Sequence, residues 1–199
     1  GEKAQRKEYV WQFRLPDSVY EEYRRVAGRF ERKAQYSEAG IYRMLVACHL
    51  VASGRRIVRD YPLETESVYK NASEDPRLQA LFEVLARIDR GKTLIVCRFH
   101  FEIETIRKAL SKAYGECTVQ TAHSGNADAV YYVESLYLEK RALMKREFQT
   151  LIYYSQNWSL RKRREREDSF KDIGCVTIIN IVAADTIDAQ MVKRVWKKE

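Results

Sequence analysis

The densest run of chemistry-bearing side chains in the sequence is Arg161-Lys162-Arg163-Arg164-Glu165-Arg166, which follows closely on Gln156-Asn157-Trp158. An aromatic plane and an amide beside a row of cations can hold single-stranded nucleic acid. Bases stack on the ring and phosphates meet the charges. The same residues also fit a solvated helix face with Arg–Glu pairs four apart, for which Glu165, Glu167 and Asp168 supply the acids. Arg98 and His100 follow the apolar run Leu94–Cys97, at the strand end where α/β sheets place ligands. The candidate nucleic-acid contacts are therefore Arg98, His100, Asn157, Trp158, Arg161, Lys162, Arg163, Arg164 and Arg166.

Other motifs carry less. Arg90-Gly91-Lys92-Thr93 has the tail of a phosphate-binding loop, but Ala86 stands at the first glycine position. The element order is also reversed, helix before and strand after, so the segment reads as a helix stop. His49, His100 and His123 lie far apart without cysteine or carboxylate companions at ligand spacing, and no G-x-S-x-G elbow surrounds Ser124. No catalytic residue and no metal set is assigned, and no carboxylate cluster with lysine marks a nuclease. Cys48, Cys97, Cys117 and Cys175 form no CxxC pair, which points to buried thiols in a reducing cytoplasm.

Composition sets the frame. The chain has 199 residues, 45% of them hydrophobic, enough for one sizeable packed domain. No apolar run reaches the roughly 20 residues of a bilayer span, so no membrane is expected. The first residues, GEKAQRKEY, are too polar for a secretory signal, and a start at Gly rather than Met reads as a piece of a longer protein. The net charge is +8, concentrated in the two ends while residues 61–120 are balanced. Such an excess favours a polyanionic partner.

The elements that must position these side chains follow from periodicity. Residues 9–14 read as a short strand, and Ser18 with Glu21 has capping-box spacing before a helix to about Ala34. A second helix spans about Glu38 to Ser53, and the charged stretch 55–73 reads as an irregular linker or mobile loop. Asp75-Pro76 opens an amphipathic helix ended by Gly91. Thr93–Cys97, Thr150–Tyr154 and Val176–Val182 are apolar strands of a buried parallel sheet, with weaker strands at Cys117–Thr121 and Ala129–Val133. Helices are expected at Glu102–Tyr114, Ser135–Glu147 and Ser159–Lys171, with a last one capped by Asp185. The alternation gives an α/β fold, a mainly parallel sheet flanked by helices, over 74–199, preceded by a helical segment over 1–73.

In that order the segments resemble a known family. EDPRLQALFEVLARIDRGKTLIVCRFHFEIETIRKAL (74–110) is similar to the start of the second RecA-like lobe of superfamily-2 helicases, especially the Swi/Snf-like group common in phages. IYYSQNWSL (152–160) and EREDSFKDIGCVTIINIVAADTID (165–188) resemble the stretch before that family's last motif, the motif itself and the strand after it. LPDSVYEEYRRV and YRMLVACHLVASG resemble the helices that link the two lobes. The resemblance implies a RecA-like fold and nucleic acid, DNA first, as partner.

The family's final motif runs Q-x-x-D-R-x-H-R-x-G, and its two arginines reach nucleotide phosphates. Here Ser169 and Asp172 stand at those positions, and no glycine occurs between Gly125 and Gly174. A carboxylate repels a triphosphate and a serine gives no bidentate cation. No first lobe with its phosphate-binding loop is present in the sequence either. The expectation is a helicase-like C-terminal lobe without ATP hydrolysis of its own. ATP and Mg would enter only with a first RecA-like lobe in a parent protein. The competing expectation is a degenerate adaptor that docks on a replication or repair protein.

Overall fold

Strands without a polar face force a buried sheet. Thr93–Cys97, Thr150–Tyr153 and Cys175–Ala183 are almost wholly apolar, and such strands need cover on both sides. The computed structural model describes residues 5–34, 37–88, 91–116, 119–121, 129–137, 148–168 and 175–197. Its elements are β1 (Gln5–Phe13), α1 (Asp17–Ala34), α2 (Glu38–Ala52), β2 (Arg55–Asp60), β3 (Leu63–Ser67), α3 (Pro76–Arg87), β4 (Thr93–Cys97), α4 (His100–Tyr114), β5 (Val119–Thr121), β6 (Tyr131–Ser135), β7 (Thr150–Tyr153), α5 (Leu160–Asp168), β8 (Cys175–Ala183) and α6 (Ile187–Lys197). The main sheet has the order β1-β8-β7-β4-β6-β5 and every pairing in it is parallel. The three expected interior strands are indeed central.

Each sheet face has its own core. On one side, Leu78, Leu81, Val84 and Leu85 of α3 and Ile106 and Leu110 of α4 pack against Ile95, Val133, Ile152 and Ile181. On the other side, Leu94, Val96, Tyr132, Phe148, Leu151, Val176 and Ile178 form a second cluster. A third core joins α1, α2 and α6 through Val19, Tyr23, Cys48, Val51, Ile187 and Met191 to Ala183 at the end of β8. Asp75 starts α3 as foreseen: its side chain accepts from the backbone N–H groups of Arg77 and Leu78, with Pro76 at the first helical position.

The structure departs from the sequence reading in the first third of the chain. Residues 1–73 are not only a helical linker, because β1 pairs with β8 over Gln5–Phe13 against Cys175–Ala183 and so forms the sheet's edge. The stretch 55–73 is not irregular either, since β2 and β3 make an antiparallel hairpin. Cross-strand pairs Arg56–Glu66 and Arg59–Glu64 run along it, and Arg55 bonds Thr65. Only Ile57 reaches the core, so the hairpin lacks an apolar period. At the far end, Thr186 and not Asp185 caps α6: its hydroxyl accepts from the Asp188 N–H at 3.2 Å, while Asp185 has a φ of 59°. The helix expected from Ser135 does not start there: Ser135 ends β6 and residues 136–137 form a turn, while 138–147 lie outside the described residues.

Candidate nucleic-acid interface

Parallel strands end on one edge of the sheet, and the loops beyond β4, β7 and β8 meet there. Ser155, just past β7, joins two of them. Its hydroxyl donates to Glu102 Oε1 at 2.7 Å and accepts from the Arg98 N–H at 2.7 Å. Glu102 Oε1 also accepts from the Phe99 N–H at 3.1 Å, so this carboxylate closes the first turn of α4. Burial pushes Glu102 up to about 7 against the pull of Arg77 and the Ser155 hydrogen bond. From this scaffold Arg98 leans on the Phe99 ring, with its guanidinium 3.5 Å from Asn157 Oδ1. Asn157 in turn accepts from the Ser159 N–H, and the Ser159 hydroxyl accepts from the Lys162 N–H at the start of α5. One chain of hydrogen bonds thus links Arg98, Asn157 and the basic helix.

The helix itself divides its cations. Arg163 is 4% exposed and holds the Glu8 carboxylate, Glu167 at 3.1 Å and Asn180 Oδ1 at 2.8 Å, with its guanidinium over the Tyr153 ring. Arg166 is 2% exposed, 2.9 Å from Glu134 Oε1, and donates to the carbonyls of Ser135 and Leu136. Burial raises Glu134 to about 7, with Arg166 pulling the other way. Arg163 and Arg166 therefore leave the phosphate-contact set, since both side chains are buried against carboxylates and other protein oxygens and turn no open face to a ligand. Arg161 and Arg164 face solvent, and Lys162 is half-buried. Arg161 and Lys162 approach Glu165 only at 3.9 and 4.0 Å.

Trp158 is half-buried against the α1–α2–α6 core with the Arg194 guanidinium over its ring, which makes it a packing residue first and an open stacking plane only in part. His100 is exposed at the first position of α4. Ser169 and Asp172 lie outside the described residues. Among the described residues no three His, Cys, Asp or Glu side chains converge as metal ligands, and Cys48 and Cys97 are buried thiols outside any disulfide.

Sequence reasoning missed a buried charge cluster beneath this edge. Arg77 is 1% exposed and donates to Asp188 Oδ2 at 2.6 Å, to the Tyr154 carbonyl and to the Ala52 carbonyl. Burial opposes its charge, but Asp188 and Glu102 outweigh that and hold the guanidinium above its usual value. His49 Nε2 stands 3.6 Å from Asp188 Oδ1, yet burial and the cations Arg98 and Arg77 keep the imidazole neutral. One signal was available. Arg77 lies four before Leu81 and seven before Val84, on the apolar stripe of its helix.

No protein-family model matches the sequence, and no curated protein matches it either. Its fold does match solved structures. The C-terminal part of the Fun30 ATPase domain is similar at 10% identity, with 98% of this chain and 90% of that one covered and a TM-score of 0.66. A Sulfolobus solfataricus SWI2/SNF2 ATPase core in complex with dsDNA gives 10% identity, 98% and 44% coverage and a TM-score of 0.67. The C-terminal domain of the DEAD-box protein Dbp5 covers 61% of this chain and 77% of its own at 10% identity, with a TM-score of 0.53. The chain shares the RecA-like fold of these solved structures, the fold its sequence resemblance implied.

Proposed function

We propose that this helicase-like lobe binds nucleic acid through the edge built by Arg98, Asn157, Arg161 and Arg164, and that it does not hydrolyse ATP by itself. One observation carries the reading: α5 is pinned by two buried arginines, which fixes Arg161 and Arg164 outward on a rigid support. Cations held in place lose little side-chain entropy when they meet phosphates. Support also comes from the similar archaeal core, whose structure is a complex with dsDNA. DNA is accordingly the first polymer to test. The test is binding of a labelled oligonucleotide across a salt series. Three phosphate contacts, from Arg98, Arg161 and Arg164, give a log–log slope of about −2 for single strands and about −2.7 for duplex. The change of Arg161 and Arg164 to Ala should weaken binding at least tenfold and flatten that slope, with the melting temperature little altered. Unchanged binding, or none in the parent chain at low salt, would sink the reading.

A second reading has its own observation. Val58, Tyr61 and Leu63 on the hairpin, and Ile41 and Tyr42 on α2, are exposed apolar side chains. Such residues suit a docking adaptor for a replication or repair protein. Loss of partner capture from the change of Tyr61 and Leu63 to Ser, with oligonucleotide binding absent, would favour that reading.

A further inference from the structure

A groove of about 680 Å³ opens at the other end of the sheet, where β8 and β7 begin. Its floor is set by strand register. Lys7 lies beside Thr177, and Thr177 beside Thr150, giving one ammonium and two hydroxyls in a row across three strands. Two residues further along β1 and β8 stand Tyr9 and Ile179, with Trp11 beyond them on the same face of β1. Arg87 of α3 forms the wall, its guanidinium over the Trp11 ring at 4.8 Å from the centroid. The Tyr9 side is open, with 53% of the residue exposed. Among the described residues the lining has two cations, Lys7 and Arg87, and no carboxylate.

We propose that this groove is a second nucleic-acid contact, specific for a single strand and holding one or two of its nucleotides. This deepens the nucleic-acid reading above and rests on it. Tyr9 offers an open ring to a base, and the Arg87 guanidinium over Trp11 offers a cationic stacking plane. Lys7 and Arg87 sit on either side of those rings, where flanking phosphates fall, and the Thr150 and Thr177 hydroxyls face sugar or phosphate oxygens. A duplex has its bases stacked on one another and brings no free face to the rings, so it gains only the charge contacts. An acidic peptide would use the cations and leave the alternation of cation and ring along Lys7, Tyr9 and Trp11 without purpose.

The experiment makes Trp11 its reporter. With Trp158→Phe and Trp196→Phe, and folding checked by melting, Trp11 is the remaining tryptophan. A four-residue oligothymidylate, its mononucleotide, a short duplex and polyglutamate are titrated at low salt. The expected result is quenching of Trp11 by the oligothymidylate with a log–log salt slope of about −1.4, two phosphates' worth for a single strand. Lys7→Glu with Arg87→Glu should weaken that binding at least fivefold, and Lys108→Ala, an exposed cation on α4 outside both sites, should leave it unchanged. Equal quenching by the mononucleotide, the duplex or polyglutamate would overturn the proposal. So would oligonucleotide binding seen by anisotropy with a silent Trp11, which leaves the edge reading standing. Absence of binding by both readouts removes the nucleic-acid reading itself.

Discussion

Arg161 and Arg164 are separated from Arg163 and Arg166 by two residues each, about 200° around a helix, so the two pairs point to opposite sides. That angle decides their roles more than their shared chemistry does. Removal of an inward arginine strands a carboxylate in the interior, while removal of an outward one returns a solvated charge to water. Arg166→Ala leaves Glu134 buried without its cation and should lower stability by about 3–5 kcal/mol. Arg164→Ala should change it by no more than about 0.5 kcal/mol. Denaturant unfolding of the two variants beside the parent chain checks both values; similar midpoints would contradict the assignment of sides.

Between elements, the junction of β4, β7 and α4 depends on one carboxyl group. Glu102 is raised to about 7 by burial, so between its ordinary range and that value the folded chain holds a proton which the unfolded chain has released. Its contribution to stability is therefore present at pH below about 4.5, shrinks as pH rises, and levels off above about 7. Glu102→Gln removes the titration and keeps an acceptor for Ser155. Relative to that variant, the parent chain should lose about 1–3 kcal/mol between pH 5 and pH 7.5, read by urea unfolding. A constant difference would show that the group is not held as described. The element scale is also where legibility varied most. β4, β7 and β8 were readable because strands covered on both faces cannot hide their composition. The β2–β3 hairpin was not readable, since its stability lies in pairs such as Arg56–Glu66 that look like solvated surface until their register is known. Arg163 and Arg166 were misassigned for a related reason. Glu167, four residues on from Arg163, was within reach of a local reading, but the partners Glu8 and Glu134 come from strands 155 and 32 residues away in sequence.

For the molecule as a whole, the nucleotide prediction is plain. The sequence has no phosphate-binding loop, and Ser169 and Asp172 stand where the resemblance calls for arginines. Incubated with ATP and Mg, with or without oligonucleotide, the chain should release no phosphate above blank. Turnover that follows the chain through purification, and survives its repurification, would refute this. A different consequence follows from β1. Among the described strands β1 pairs with β8 alone, Gln5–Phe13 on Cys175–Ala183, its partner far later in the sequence, and Glu8 meets Arg163 and Asn180 across the same gap. A ribosome delivers the chain from its N-terminus, so β1 stays without its mate until β8 has emerged. Until then it is a nine-residue strand with both edges open, the kind of segment that seeks the wrong neighbour. Arg6, Lys7 and Glu8, three charges in succession near its start, act as gatekeepers over that interval. A strand synthesised long after β1 thus closes the sheet on it, and the nascent lobe completes this sheet only once β8 has emerged.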